Sequence, residues 1–586
     1  MKKLSGFYQK NKKIITGVLF PLILFLYPLM KINQGIDVSD STYSMGNYLY
    51  FPELEGTWVI STYLSNVLGF FFTKLPFGKT LLGFNLYSGL LVSGLVLIVY
   101  DLLRRWMPDW IVFLGEFVAV GFLWIPTGIL YNYLTYFLFT LAALFLYRGL
   151  TDEGNGYLLL AGILLGANVF VRIPNLAEMA LILVVWYDSY LKKKEQKTGK
   201  NFWQCYFGKT TGVCIGGYLL GLLVPLCCVL LQYGSSGFLQ MITGLSSIQG
   251  SDNSYSLFSM VGAVITAYGR SGKWLLLLLI GMVLGLALFA IANGRFMKSK
   301  KVIYIVGLLL LLRFYWGRGM FSFRYYEDYT AMYEWGMLGL FLSFWACLYL
   351  LTGKDVSSHE RLFGMLSLVF LLITPLGSNN YTYQNLNNLF IVAAVTGYAV
   401  TKWLRRKRTE KVKGSSFVFH SSLFLVLGMI CIQTIGFHSQ FVFRDGMDGS
   451  KRTVCMKENS VVNHMFTTEK NAKNLGGIIA YFESEKDLAD TCIYAGDCPG
   501  LTFLLQKPSA LSTSWLDLDS EPVAKIEKDI ESLQGFPVVI WRQTEVRSKT
   551  FAEKWKLIEN FMHQHSYQSV FQNEEYQVFA VEKGAK

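Results

Sequence analysis

Charge is scarce in this chain. Only 16% of its 586 residues are Asp, Glu, Lys or Arg, whereas 53% are hydrophobic, a balance that excludes an ordinary soluble globular protein. None of the nine cysteines falls in a CxxC pair or a Cys/His cluster, so no metal site is indicated. Cys205, Cys214, Cys227, Cys228, Cys347 and Cys431 lie in or next to apolar stretches, where a thiol acts as a small hydrophobe. Cys455, Cys492 and Cys498 fall in the C-terminal part, and three thiols admit one disulfide but no disulfide framework. P-loop, GxSxG, HExxH and dinucleotide fingerprints are missing too, so cytosolic nucleotide chemistry has no support.

What the chain has instead is apolar length. Hydrophobic spans lie near 14–30, 80–101, 110–128, 131–149, 157–171, 174–190, 209–232, 273–293, 302–318, 335–352, 362–376, 387–404 and 417–436. A run of about 20 apolar residues crosses a bilayer as a helix, because lipid offers no partner for backbone N–H and C=O groups. An all-α membrane bundle of about thirteen helices is therefore expected over residues 1–436. The spans near 157–171 and 174–190 are short and are separated by "RIPN", whose proline disfavours helix in the residue before it. The basic, then apolar, N-terminus lacks a small-residue cleavage site and reads as a retained first helix.

The net charge of +13 is unevenly spread. Residues 1–436 carry 36 Lys+Arg against 19 Asp+Glu, and residues 437–586 carry 17 against 21. The basic excess sits in alternate loops, including Arg104-Arg105, Lys192–Lys194, Lys298–Lys301 and "KWLRRKR" at 402–408. That is the positive-inside pattern of cytoplasmic loops, and it excludes a nucleic-acid partner. An odd number of spans from a cytoplasmic N-terminus puts the tail outside a bacterial plasma membrane.

Three stretches on that outer side are long. The first, 31–79, contains "YLYFPELEGTWVISTYLSNVLGFFF", suited to helices lying along the interface. The second, 233–270, is expected to mix polar turns with an interfacial segment. The third, 317–335, is rich in aromatics and charge. From 437 onward the pattern changes. "TCIYAGD", "FPVVIW" and "YQVFAVE" read as strands, and "VAKIEKDIESLQ" and "KTFAEKWKLIENFMHQHS" as amphipathic helices. A separately folding α/β domain is expected over 437–586.

Acidic residues at a membrane interface are solvated, paired or functional. Asp37 and Asp40 in "GIDVSDSTYSMGNY" follow the first span. They are either a loop turn or a carboxylate base able to take a proton from an acceptor hydroxyl. Glu53 and Glu55 are weaker substrate-binding candidates. Arg172, Arg270, Arg318 and Arg324 face the outer side, where arginine holds phosphate oxygens bidentately or snorkels to lipid headgroups. Tyr325 and Tyr326 belong to an aromatic belt that also offers faces for stacking sugars. In the tail, the Gly496-Asp497 turn and the segment Trp515–Asp519 suit a sugar ring, or else a core tryptophan with capping aspartates.

The layout resembles the GT-C class of membrane glycosyltransferases, to which the protein O-mannosyltransferases and the aminoarabinose transferase belong. "LAGILLGANVFVRIPNLAEMALIL" is similar to their Gly-rich helix followed by an arginine, and "GFNLYSGLL" to the start of their second helix. "IYAGDCPGLTFLLQKPSALSTSWLDLDS" looks like the tail of uncharacterised clostridial-type members. The resemblance implies transfer of a sugar from a polyprenyl-phosphate donor to an envelope glycan, lipid or protein acceptor. It gives Asp40 first, then Asp37, as catalytic base, with Arg172 on the donor phosphate. No cofactor is required, and a divalent cation between Asp37 and Asp40 stays open. A non-catalytic envelope-assembly protein and a lipid-linked glycan transporter are the alternatives.

Overall fold

The computed structural model describes residues 8–54, 57–152, 154–196, 208–251, 257–291, 296–322, 324–325, 329–377, 380–409, 414–544 and 548–581. Every apolar span lies on a helix. Among the described residues, seven helices are long and apolar enough to cross a membrane: Lys12–Leu29, Leu81–Leu103, Leu130–Thr151, Lys209–Leu239, Phe258–Ala290, Thr330–Thr352 and Ser415–Gln440. The other spans form shorter or more charged helices among them, such as Asp109–Phe122, Asn155–Asn168 and Ser358–Ile373. Val224, Leu231, Val283 and Leu284 are exposed on the long helices, as side chains facing lipid are. The chain is a multi-pass membrane protein.

The stretch 233–270 differs from expectation. Helix Lys209–Ser251 runs through Ser235 and Ser236, interrupted only by the positive φ of Gly234, and Leu257–Ala290 is a second long helix. The chain kinks at Gly234, Ser235-Ser236 continue as helix beyond it, and residues 252–256 of this stretch lie outside the described residues. The proline of "RIPN" does act as a breaker: Ile173–Leu181 is a 3₁₀ segment leading into helix Ile182–Gln196.

One helix crossing shows why "LAGILLGAN" is glycine-rich. A Cβ on Gly162 or Gly166 would strike the backbone of Cys214 or Tyr218, and one on Gly217 or Gly221 would strike Leu159 or Ile163. Small residues four apart let the two helix backbones touch.

The bundle has two unlike ends. At one end, ion pairs such as Lys402–Glu360 (2.6 Å) and Arg406–Asp355 (2.8 Å) tie helix ends together. The other end carries the tail. There, β1 (Val454–Cys455) pairs antiparallel with β2 (Phe466–Thr467). The main sheet contains β3 (Cys492–Ala495), β4 (Val538–Arg542), β5 (Tyr567–Gln572) and β6 (Tyr576–Val581), in the order β3-β4-β6-β5. Only β3 and β4 run parallel. Helices Glu469–Ser484, Val523–Glu531 and Phe551–Gln564 complete the tail.

The tail is joined to the bundle by more than a linker. Leu475, Tyr494, Leu501, Phe503 and Val538 share one continuous core with the membrane helices, while Ile493, Leu516, Ile526, Val539 and Ile558 form a smaller core of their own. The amide of Leu81, at the start of a span, donates to Val461 O at 2.9 Å. Cys455, Cys492 and Cys498 are free thiols, so the admitted disulfide does not form.

Candidate active site

The segment between the first span and helix Asp40–Leu49 is pinned to the tail by its backbone. Phe466 N donates to Asn33 O and Gly35 N to Phe466 O, both at 2.8 Å, while Gly500 N donates to Val38 O at 2.8 Å. Ile36 N donates to Asp445 Oδ2 at 2.9 Å. Gly35 has φ +84°, and a Cβ there would run into Val442. Only glycine satisfies both the conformation and the space.

This anchoring sets apart the two aspartates read from the sequence. Asp37 is 6% exposed. Its carboxylate accepts from Ser39 N (2.9 Å), Ser39 Oγ (2.7 Å) and Ser41 N (2.8 Å), and its carbonyl accepts from Thr42 Oγ1. Asp37 thus satisfies amides at the start of the first-loop helix, as a capping carboxylate does.

Asp40, in the first turn of that helix, keeps its side chain 27% exposed and lies 3.0 Å from Arg444 Nη2. Arg444 follows the last span. Its other amino group donates to Ser39 Oγ and stands 3.7 Å from Asp497 Oδ2. The guanidinium lies over the Phe443 ring (5.5 Å), and that ring stacks on Trp124 (5.5 Å). Burial pushes the Asp40 carboxyl up to about 6, and the charges of Asp37 and Asp497 add to that push against the opposing Arg444. Burial also raises Asp497. One arginine therefore sits between two carboxyls that are drawn toward neutrality.

Asp497 is held by the turn that the sequence marks. Gly496 N and Asp497 N donate to the Asp517 carboxylate at 3.1 and 2.8 Å. Trp515 hydrogen-bonds the Asp497 carboxylate and meets Tyr43 edge-on at 5.0 Å. Asp519 accepts from Lys549 N (2.9 Å) and Thr550 N (3.2 Å). In Trp515–Asp519 the capping role of the aspartates is visible. The aspartates brace turns, while the tryptophan stands half-buried beside Asp497.

Arg172 lies over Tyr131 (5.7 Å) and donates to Gly377 O at 2.8 Å. The Tyr131 phenol and the Asp40 carboxylate both act electrostatically on Tyr43. Arg270 is exposed and its charge acts on Tyr333. Tyr333 packs on Tyr383 (4.3 Å), which in turn packs on Trp124 (5.4 Å). Arg318, stacked on Phe314 (5.4 Å), and Arg324 are exposed on the next segment of the chain. Tyr325 is not an exposed platform. It is 1% exposed and meets Phe437 edge-on at 6.0 Å, because its ring packs onto the gap left by Gly436. Glu53 is exposed at the rim of a cavity between the first-loop helix and the tail. Glu55 and Tyr326 fall outside the described residues.

Sequence reasoning missed Arg444 and Tyr43. Arg444 carries the same signal that drew attention to Asp37 and Asp40, a charge just beyond a span. Among the described residues no group of three or more His, Cys, Asp or Glu side chains is placed to hold a metal ion.

No family model and no curated protein sequence matches the chain. Among solved structures, it is similar to ArnT from Cupriavidus metallidurans bound to undecaprenyl phosphate, at 12% identity over 98% of this chain and 99% of that chain, with a TM-score of 0.52. The Archaeoglobus fulgidus oligosaccharyltransferase in its apo form gives a TM-score of 0.42 at 12% identity, over 90% of this chain and 69% of that one. The likeness to ArnT runs end to end through bundle and tail, and it is a likeness of fold.

Proposed function

We propose that the chain is a membrane glycosyltransferase that moves a sugar from a polyprenyl-phosphate donor to an acceptor hydroxyl, at the tail end of the bundle and outside the cytoplasm. The observation that carries this reading is the Asp40–Arg444 pair, a reachable carboxyl drawn toward neutrality beside a cation. The shared fold with ArnT, a structure that holds undecaprenyl phosphate, supports the donor class.

Asp40 is the base. It accepts the proton of the acceptor O–H while the oxygen bonds to the anomeric carbon. The bond from that carbon to the phosphate oxygen breaks, its electron pair leaves with polyprenyl phosphate, and the configuration inverts. A base works best with its pKa near the working pH, which the raised Asp40 carboxyl satisfies. As Asp40 takes up the proton, Arg444 loses its partner's charge just as the leaving phosphate gains one. The guanidinium is then free to stabilise that phosphate, with Arg172 as a second cation for the donor. Arg270, Arg318 and Arg324 serve the approach of the anionic headgroup. Asp37 positions the helix that presents Asp40. No cation is required, since Arg444 already occupies the Asp40 carboxylate and three donors occupy Asp37.

A second reading, a non-catalytic assembly scaffold, draws on the same pair: an ion pair that never opens is a strut. Purified protein in lipid nanodiscs, given undecaprenyl-phosphate-linked sugars, separates the two. Release of undecaprenyl phosphate supports the transferase. No release with any donor, from protein that melts cooperatively, supports the scaffold.

A further inference from the structure

A cavity of about 240 Å³ lies between the first-loop helix and the tail. Tyr43, Asn47 and Tyr50 line one wall, and Thr502, Ser514 and Lys525 line the other. Tyr43, Asn47 and Tyr50 follow Asp40 by three, seven and ten residues on helix Asp40–Leu49 and its C-cap. These spacings put all four on one helix face, with Asp40 a single turn from the cavity. The tail wall is made from the segment after β3, which the contacts of Gly500 and Asp497 fix against the first loop.

We propose that this cavity binds a pyranose ring of a neutral glycan, which makes the acceptor a saccharide; the word acceptor rests on the transferase reading above. Three features select that chemistry. The lining is rich in hydroxyl and amide groups, and Thr502 and Ser514 are 4% and 8% exposed. Such groups both donate and accept, as sugar hydroxyls do. Charge is nearly balanced at the rim: Lys525 is already paired with Glu521 at 2.7 Å and Glu53 is the facing acid. A phosphorylated headgroup therefore finds no surplus cation. The third feature is aromatic. Tyr43 is braced edge-on by Trp515 at 5.0 Å, which holds a rigid ring for the C–H face of a sugar. Leu54, Val59 and Leu511 add apolar surface between these polar groups, which suits the C–H faces of a sugar ring.

The test is direct binding, which does not depend on turnover. The full chain in lipid nanodiscs is titrated with maltotriose and with triacetylchitotriose, read by saturation-transfer NMR, with a Ser-containing tripeptide as the competing class. At least one trisaccharide is expected to bind. Ser514→Tyr, which fills the cavity, should weaken that binding at least about tenfold, a loss of about 1.4 kcal/mol. Ser514→Thr should retain it. Tyr43→Leu, which removes the aromatic face from the cavity wall, gives an independent variant should Ser514→Tyr fail to fold, and is expected to weaken binding in the same direction. Absence of binding to both trisaccharides, binding unchanged by Ser514→Tyr and Tyr43→Leu, or binding of the tripeptide in their place would each overturn the proposal. Trisaccharide binding by protein that never cleaves a polyprenyl-phosphate donor would leave the saccharide site standing and remove the transferase reading.

Discussion

Arg444, just past the last span, reaches Asp40, just past the first, at 3.0 Å, and with the Ile36–Asp445 bond it holds the first loop against the segment that leads into the tail. It also controls the charge of the carboxylate. Arg444 lowers the Asp40 pKa, whereas burial, Asp37 and Asp497 raise it. The base is active when deprotonated, so turnover should fall as pH drops through about 6. In Arg444→Gln the opposing cation is gone, and the acid limb should move to higher pH. A pH profile of kcat/KM whose acid limb stays put, or moves lower, would show that Arg444 does not act on this carboxylate.

Asp37 and Asp40 should behave differently on mutation. Asp37→Ala strips the acceptor from two backbone amides and a hydroxyl in a buried turn, at a cost of about 1–3 kcal/mol. Its thermal midpoint should fall and activity should fall with it, and the acid limb of the pH profile should move to lower pH, because the Asp37 charge that raises Asp40 is gone. A variant with an unchanged midpoint and no turnover would move the base from Asp40 to Asp37.

Arg172 lies over Tyr131, and a single ammonium cannot reproduce a bidentate guanidinium. Arg172→Lys is expected to raise the donor KM about tenfold, with a smaller change in kcat. Arg172→Gln should raise it further. Equal kinetics for all three would return Arg172 to a structural role beneath Tyr131.

Much of this was legible along the chain. Span positions follow from apolar length, which tertiary packing does not alter, and Asp40 was marked by standing just beyond a span. The strands "TCIYAGD", "FPVVIW" and "YQVFAVE" appear as β3, β4 and β6. What was not legible depends on distant residues. Nothing near Arg444 shows that it meets Asp40, and nothing near Tyr325 shows that Gly436 leaves room to bury its ring. In 233–270 the described polar residues lie on long helices, with a kink at Gly234, because nothing in the local sequence shows how far a helix continues past a glycine.

The tail was read as a unit that folds by itself, and its shared core with the bundle changes that expectation. Alone, residues 437–586 would expose Leu501 and Phe503 and leave Phe466 and Gly500 without the first-loop partners they bond. The fragment should bind a hydrophobic dye and melt without a sharp transition. A soluble, cooperatively melting fragment would restore the independent domain.

Asp40→Asn keeps the shape and the hydrogen bonding of the side chain and removes its basicity. In nanodiscs, with a donor that the wild type cleaves, this variant should release undecaprenyl phosphate about 10²–10⁴-fold more slowly while binding the donor with unchanged affinity. Release at near the wild-type rate would contradict the assignment of Asp40 as the base.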